Sequence, residues 1–367
     1  MTRLSIHQLF ALMFIFEIGS TTLFALGIDA KQDAWLVILT SLLIGLAFIW
    51  IYTELQNKFP AKNLVEIMIE ILGKPLGILL SINYSLYWLY PACRNLREFG
   101  ESIVITSLQD TPLTVVLLIF MLASIYLLAL GIKVLARTSE ITMPVILGFF
   151  ISLLAMIILS GKIDLKSLQP VMSNGLKPVL ALAYPTVATF PFGEIFIFIM
   201  YWRYADRPNM VRKATMLAVI AAGILLAVIM IMDVSVLGVA YTSSATIPLF
   251  EVIKIINIGD ILTNLDAIGV IIIFLGGFYK MSLLFYGIVL IYTTIFKKIN
   301  RKIWLILIGI LVLWVAVVFE PSYIYHRSWL YPFDVNYFYS QFLHIIPVLL
   351  LLICWVKNKT TSFPKTR

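Results

Sequence analysis

Charge is what this sequence has least of. Only 13% of its 367 residues are Asp, Glu, Lys or Arg, about half of the roughly 25% found in a soluble domain. Cysteine and histidine are scarcer still, at two and three residues. Two cysteines cannot form a disulfide scaffold, and Cys93 and Cys354 stand in apolar runs where the thiol acts as a small buried hydrophobe. His7, His326 and His344 are too far apart in sequence for metal-ligand spacing. The sequence also lacks H-E-x-x-H, G-x-S-x-G, Walker A and G-x-G-x-x-G motifs, so nothing points to catalytic residues, a metal or a cofactor. Disorder would require low hydrophobicity, and a coiled coil would require charged heptads; neither is present.

What is present is apolar. Hydrophobic residues make up 61% of the chain, and the mean hydropathy is +1.01. A soluble globule is therefore excluded, and the chain reads as an all-α polytopic membrane protein embedded in a lipid bilayer. A spanning helix needs about 20 mostly apolar residues. Ten such runs occur, near 9–28, 34–55, 76–107, 113–131, 138–160, 178–202, 210–238, 263–296, 303–319 and 337–356. The first is not a signal peptide: Glu17 stands in its middle, no small-residue cleavage site follows, and a second span begins at once.

The basic residues set the expected orientation. With the N-terminus inside, 18 Lys and Arg fall in inner loops or termini against 6 in outer loops. Under the positive-inside rule both termini are then cytoplasmic. The net charge of +8 thus belongs to short membrane-flanking loops, and no basic stripe supports nucleic-acid binding. Tyr323, Tyr325, Trp329, Tyr331 and Phe333, with Tyr337, Phe338 and Tyr339, read as an outer aromatic belt.

Halving the spans exposes a repeat. The third and eighth runs are both long, about 32 and 34 residues, and the first and sixth carry Gly-centred polar interruptions at Ile18-Gly19-Ser20-Thr21-Thr22 and Pro191-Phe192-Gly193-Glu194. An odd number of spans per half inverts one half relative to the other. The expectation is one transmembrane domain, 1–367, with five-helix repeats at 1–161 and 178–357 and a cytoplasmic tail at 358–367.

A helix break inside a bilayer is tolerated only where it lines a cavity or meets a ligand. Gly19 lets the backbone open, Ser20, Thr21 and Thr22 offer hydroxyls, and exposed amides of a half-helix attract an anion such as a carboxylate. Glu194 can accept from an ammonium or from an opened N–H. The competing reading is that the hydroxyls bond back to their own helix and Gly19 serves close packing. Ionisable residues inside spans are costly, so they are functional or paired; here they are Glu17, Arg94, Arg97, Glu98, Glu101, Glu194, Asp233, Lys280 and His344. Arg97 with Glu101 and Arg94 with Glu98 share helix faces at i, i+4, which also fits a self-neutralised polar face. Lys280 stands mid-span after Gly276-Gly277 and needs a carboxylate partner or must lose its proton, with Glu17 and Glu194 as the candidate partners.

Several segments together resemble the B subunits of spore germinant receptors, the endospore germination permease family. They are Ser5-Ile6-His7-Gln8-Leu9-Phe10 running into Phe16-Glu17-Ile18-Gly19-Ser20-Thr21-Thr22-Leu23-Phe24, Leu96-Arg97-Glu98-Phe99-Gly100-Glu101, Asp164-Leu165-Lys166-Ser167-Leu168-Gln169-Pro170-Val171 with Gly175-Leu176-Lys177-Pro178, Phe192-Gly193-Glu194, and Ile247-Pro248-Leu249-Phe250 ahead of Ile258-Gly259-Asp260. The resemblance implies the LeuT-like fold of the amino acid/polyamine/organocation transporters, five plus five inverted, with unwound first and sixth helices. It also implies a place in the spore inner membrane beside an A subunit and a lipoprotein C subunit. The pocket for a small-molecule germinant, usually an amino acid, would comprise Gly19, Ser20, Thr21, Thr22, Phe192, Gly193 and Glu194, helped by the third and eighth helices. Two other functions remain open at this point: a proton-coupled amino acid transporter with Lys280 or Glu194 titrating, and an assembly partner that binds no nutrient.

Overall fold

A computed structural model of the chain describes residues 3–255, 265–318 and 338–360. Among the described residues the architecture is helical, with one isolated bridge between Leu4 and Ala205. The α-helices are α1 (Ile6–Ile18), α2 (Ala34–Lys58), α3 (Leu64–Leu72), α4 (Lys74–Thr106), α5 (Leu113–Leu130), α6 (Ile132–Ser160), α7 (Leu176–Leu182), α8 (Val211–Ser244), α9 (Pro248–Ile255), α10 (Leu265–Ile295), α11 (Arg301–Val318) and α12 (Ile346–Thr360).

Eight described stretches are long and apolar enough to cross a bilayer: Ile6–Leu23, Ile28–Lys58, Leu113–Leu130, Ile132–Ser160, Leu176–Met200, Pro208–Ser244, Phe274–Ile295 and Arg301–Val318. Two more complete the expected series. Helix α4 has the length, 33 residues, but carries Arg94, Arg97, Glu98 and Glu101 in its second half. The closing stretch Gln341–Lys357 is apolar and shorter. The chain is thus a multi-pass membrane protein. The seventh span runs further than its hydropathy indicates, to Ser244, across a bend at Gly238 with φ 75°. Most of the expected aromatic belt, 323–337, lies outside the described residues, as do His326, Asp260 and the last seven residues of the tail.

Two short helices were not legible as separate elements. Helix α3 follows the second span and packs on α4, while α9 follows the seventh and packs on α8 and α10. Each occupies the equivalent place in its half of the chain, which is what an inverted repeat requires. Helix α3 starts at a capping box in which the Asn63 side chain accepts from the Glu66 amide and the Glu66 carboxylate from the Asn63 amide. Ser5 and Gln8 do the same for α1.

At the centre the backbones of α1 and α10 approach closely. A Cβ on Gly276 would stand 2.9 Å from Gly19 Cα, and one on Gly19 would stand 2.7 Å from the Gly276 carbonyl oxygen. Backbone meets backbone there, so no flexible side chain can yield. Gly276→Val should therefore lower stability by about 1–3 kcal/mol. Gly148→Val in α6, where an added Cβ meets nothing within 4 Å, should leave the thermal unfolding of the detergent-purified protein unchanged.

Candidate functional site

Both Gly-centred interruptions break their helices. Helix α1 stops at Ile18, Gly19 leaves helical geometry at φ −42° and ψ −88°, and Ser20–Leu23 form a 3₁₀ turn. The sixth span is interrupted more heavily. After α7 it passes through a π-turn at Ala183–Val187, a cis Phe190-Pro191 bond, and then 3₁₀ winding over Phe192–Met200. Glu194 sits in the first turn of that last segment, its amide donating to the Pro191 carbonyl at 3.0 Å.

The two breaks and α10 converge on a charged cluster. Lys280 Nζ lies 2.6 Å from Glu194 Oε2, with the lysine fully buried and the glutamate 3% exposed. Of the two candidate partners for Lys280, Glu194 is therefore the one in contact. The ammonium also stands over two aromatic rings, 5.0 Å from the centroid of Phe16 and 4.6 Å from that of Phe190, which adds cation–π attraction in a dry setting. Glu17 is fully buried within electrostatic reach of Lys280 and Glu194. Neither of its carboxylate oxygens has a hydrogen-bond partner among the described residues.

The other expected pocket residues divide into two groups. Thr21 Oγ1 donates to the Glu17 carbonyl at 2.5 Å and Thr22 Oγ1 to that of Gly19 at 3.2 Å, so both hydroxyls bond back to their own turn. Ser20 Oγ is buried with no partner among the described residues. Gly19 does pack closely, against Gly276. Phe192 faces away from the cluster: an added Cβ on Gly45 of α2 or Gly223 of α8 would stand 2.7 Å or 3.2 Å from its side chain. Gly193 lies under the last span, where its missing Cβ leaves room for His344 Nε2 at 3.3 Å. His344 stacks on Phe48 with ring centroids 3.9 Å apart. Its π-turn, Gln341–Ile345, is held by Tyr52 and Tyr84 hydroxyls donating to the carbonyls of Leu343 and Phe342.

On α4 the two expected pairs form. Arg97 Nε lies 2.5 Å from Glu101 Oε1, and Arg97 also donates to the Ala316 carbonyl of α11 at 3.2 Å. Arg94 Nε lies 3.4 Å from Glu98 Oε1, with both side chains 1% exposed. Arg94 also covers Phe190, its guanidinium carbon 5.0 Å from the ring centroid. Neither the Phe16 and Phe190 rings nor the Arg94 stacking was read from the sequence; the only signal was that Phe16 adjoins Glu17 and Phe190 precedes Pro191. Asp233 sits apart, near the bend of α8, where Thr242 donates to its carbonyl.

The two faces of the bundle differ. On the face holding the N-terminus, Arg203 pairs with Glu66 at 2.6 Å and Arg212 with Glu54 at 2.5 Å. There Leu4 also exchanges backbone hydrogen bonds with Tyr204 and Asp206, tying the start of the first span to the end of the sixth. On the opposite face a cavity of about 380 Å³ opens between the ends of α4 and α8 and helix α9, lined by Glu98, Glu101, Tyr241, Phe250, Glu251 and Lys254 among others. A void of only about 10 Å³, walled by Phe99, Phe250 and Phe274, lies beside it.

This arrangement holds opposite charges in a water-poor core, one cation facing two carboxylates. Lys280→Met would leave the buried Glu194 without its ion-pair partner and should cost about 3–5 kcal/mol in thermal unfolding. Adding Glu194→Gln should recover part of that loss; a single mutant as stable as the parent would show that the pair does not hold the core.

The sequence profile of the spore germination proteins, the spore permease family, matches residues 3–324. Spore germination protein KB of Bacillus subtilis is 32% identical over 97% of this chain and 96% of its own length. The putative spore germination protein YfkT of the same organism is 29% identical over 65% of this chain and 64% of its own. This chain therefore belongs to the spore germination permease family. Among solved structures, Mhp1, a nucleobase-cation-symport-1 family transporter in a closed conformation with bromovinylhydantoin bound, superposes with TM-score 0.70 at 13% identity, over 95% of this chain and 78% of that one. MhsT in complex with L-phenylalanine gives 0.66 at 15%, over 93% and 87%. The fold is accordingly the LeuT-like five-plus-five inverted repeat of these transporters.

Proposed function

We propose that this protein is the nutrient-sensing B subunit of a spore germinant receptor. It binds a small amino acid where the first and sixth spans break, and it passes closure around that ligand to an A subunit and a lipoprotein C subunit. Its place is the spore inner membrane, with both termini and the Glu66–Arg203 and Glu54–Arg212 pairs on the cytoplasmic side. The observation that carries this reading is the Lys280–Glu194 pair buried beside Glu17 at both helix breaks. A charged cluster at that point of a transporter fold is expensive unless it serves a ligand or an ion. The 380 Å³ cavity on the opposite face supplies an entry from outside, and its size suits a small ligand. A solved transporter of the same fold in complex with L-phenylalanine supports an amino acid as the ligand class.

A second reading has a specific observation behind it. The Glu17 oxygens, buried with no hydrogen-bond partner among the described residues, provide a site for a proton, so the chain would act as a proton-coupled amino acid transporter. Uptake of a labelled amino acid into proteoliposomes, driven by a pH gradient, separates carrier from sensor.

The test of the pocket itself is thermal. A ligand that binds only the folded protein at 100 times its Kd stabilises it by about 2.7 kcal/mol. At least one amino acid in a panel with sugars and nucleosides should raise the unfolding temperature of the purified protein. Gly19→Trp, which drives an indole into the Gly276 backbone, should abolish the shift, and spores carrying it should not respond to that nutrient. Normal germination of those spores would remove the site from the breaks.

A further inference from the structure

Helix α4 carries two arginines in i, i+4 pairs with glutamates, and among the described residues only Arg97 has hydrogen-bond acceptors. Arg97 has Glu101 at 2.5 Å and the Ala316 carbonyl at 3.2 Å. One turn deeper, Arg94 is 1% exposed and reaches Glu98 through Nε at 3.4 Å, beyond the 2.7–2.9 Å or so of a charge-assisted hydrogen bond. Neither Nη1 nor Nη2, nor Nε, has a hydrogen-bond acceptor among the described residues. A guanidinium presents five donors in a planar fork, and leaving them idle in a dry core is costly. Such a fork is complementary to a carboxylate, which it takes bidentately.

Its position fits an arriving ligand. Glu98 lines the 380 Å³ cavity, and Arg94 lies one turn below it. The guanidinium rests on one ring, Phe190, that also carries Lys280, at 5.0 Å and 4.6 Å from the centroid, so the two cations are less than 10 Å apart. They differ in availability, because Lys280 already holds Glu194. Beyond the lysine, Glu194 and the Glu17 oxygens, which have no hydrogen-bond partner among the described residues, offer acceptors to an incoming ammonium.

Resting on the receptor reading above, we propose that Arg94 is the carboxylate-binding residue of the pocket. The ligand's carboxylate takes the Nη1 and Nη2 fork while its ammonium turns to Glu194 and Glu17. Glu98 keeps the Nε side. The ligand class is thereby narrowed to free amino acids with an unmodified α-carboxylate; their α-amides and decarboxylated amines are rejected for leaving the fork empty.

The experiment compares glycine and the other standard amino acids in their L forms with their α-amides, by thermal shift of the purified full chain and by the nutrient concentration giving half-maximal germination of spores. At least one amino acid should stabilise the parent while its amide does not. Arg94→Gln with Glu98→Gln removes the pair without leaving a lone charge; it should keep the parent's unfolding temperature and need about 100-fold more of that amino acid. Arg94→Lys keeps the charge and loses the fork, and about 10-fold weakening is expected; it decides the matter should the double variant not fold. An unchanged amino-acid response in these variants overturns the Arg94 assignment and leaves the receptor reading standing. Equal responses to acid and amide in the parent do the same. No shift with any amino acid, with parent spores responding to none, overturns both.

Discussion

Burying an ammonium in a membrane-embedded core constrains everything around it. Lys280 has no exposed surface, and a charge in so low a dielectric is stable only with opposite charge and polarisable surface on several sides. No single helix provides that environment. Glu194 comes from the sixth span, Glu17 and Phe16 from the first, and Phe190 from the segment between α7 and the 3₁₀ winding. The two helix breaks are what deliver these groups to one point. A regular helix would carry Glu194 in continuous register with α7, and Phe190 could not cap the lysine from that path.

The tight approach of Gly19 to Gly276 belongs to the same constraint. Lys280 lies one turn after Gly276 on α10, and its Cβ would stand 3.2 Å from a Cβ on Gly19. Any side chain at either glycine would separate α1 from α10 and draw the ammonium away from Phe16. The glycines therefore serve two needs at once: they admit the break, and they set the depth at which the cation meets its acids. Close packing and a helix break need not be alternatives, since Gly19 takes part in both.

Much of this was legible in the sequence. Most span positions follow from hydropathy, because lipid leaves no other solution for apolar runs of that length; α4, with its four charged residues, and the far end of α8 do not. The breaks were marked by Gly19 and by Pro191 with Gly193, and the i, i+4 spacing gave Arg97 to Glu101. What stayed hidden depends on which way side chains face across non-local contacts. Phe192 adjoins the break yet packs into Gly45 and Gly223, and Thr21 and Thr22 spend their hydroxyls on their own turn. Phe16 and Phe190 read as ordinary apolar residues, although they carry the lysine. The Arg94–Glu98 pair was equally visible, but spacing says nothing about whether a fork of donors is filled. Only the geometry separates Arg94 from its satisfied neighbour three residues on. Helices α3 and α9 were missed because a helix of eight or nine residues is too short to register as a run of its own.

The asymmetry of the two faces connects this core to a mechanism. Ion pairs and the Leu4 backbone bonds close the N-terminal face, while the cavity on the other side ends at Glu98. The first and sixth spans are tied together at one end and broken in the middle, so on the proposed reading the parts that move lie between the breaks and the cavity. On the proposed reading, a ligand there acts only through its different affinity for open and closed arrangements. Moving such an equilibrium from one extreme to the other takes about 5.5 kcal/mol of differential binding. Surface contacts in a wet vestibule supply little of that, whereas charges that lose water on closure supply much more. The energy for a response therefore has to come from the buried ionic groups, where a zwitterion can exchange its own charges for those the protein already holds in place.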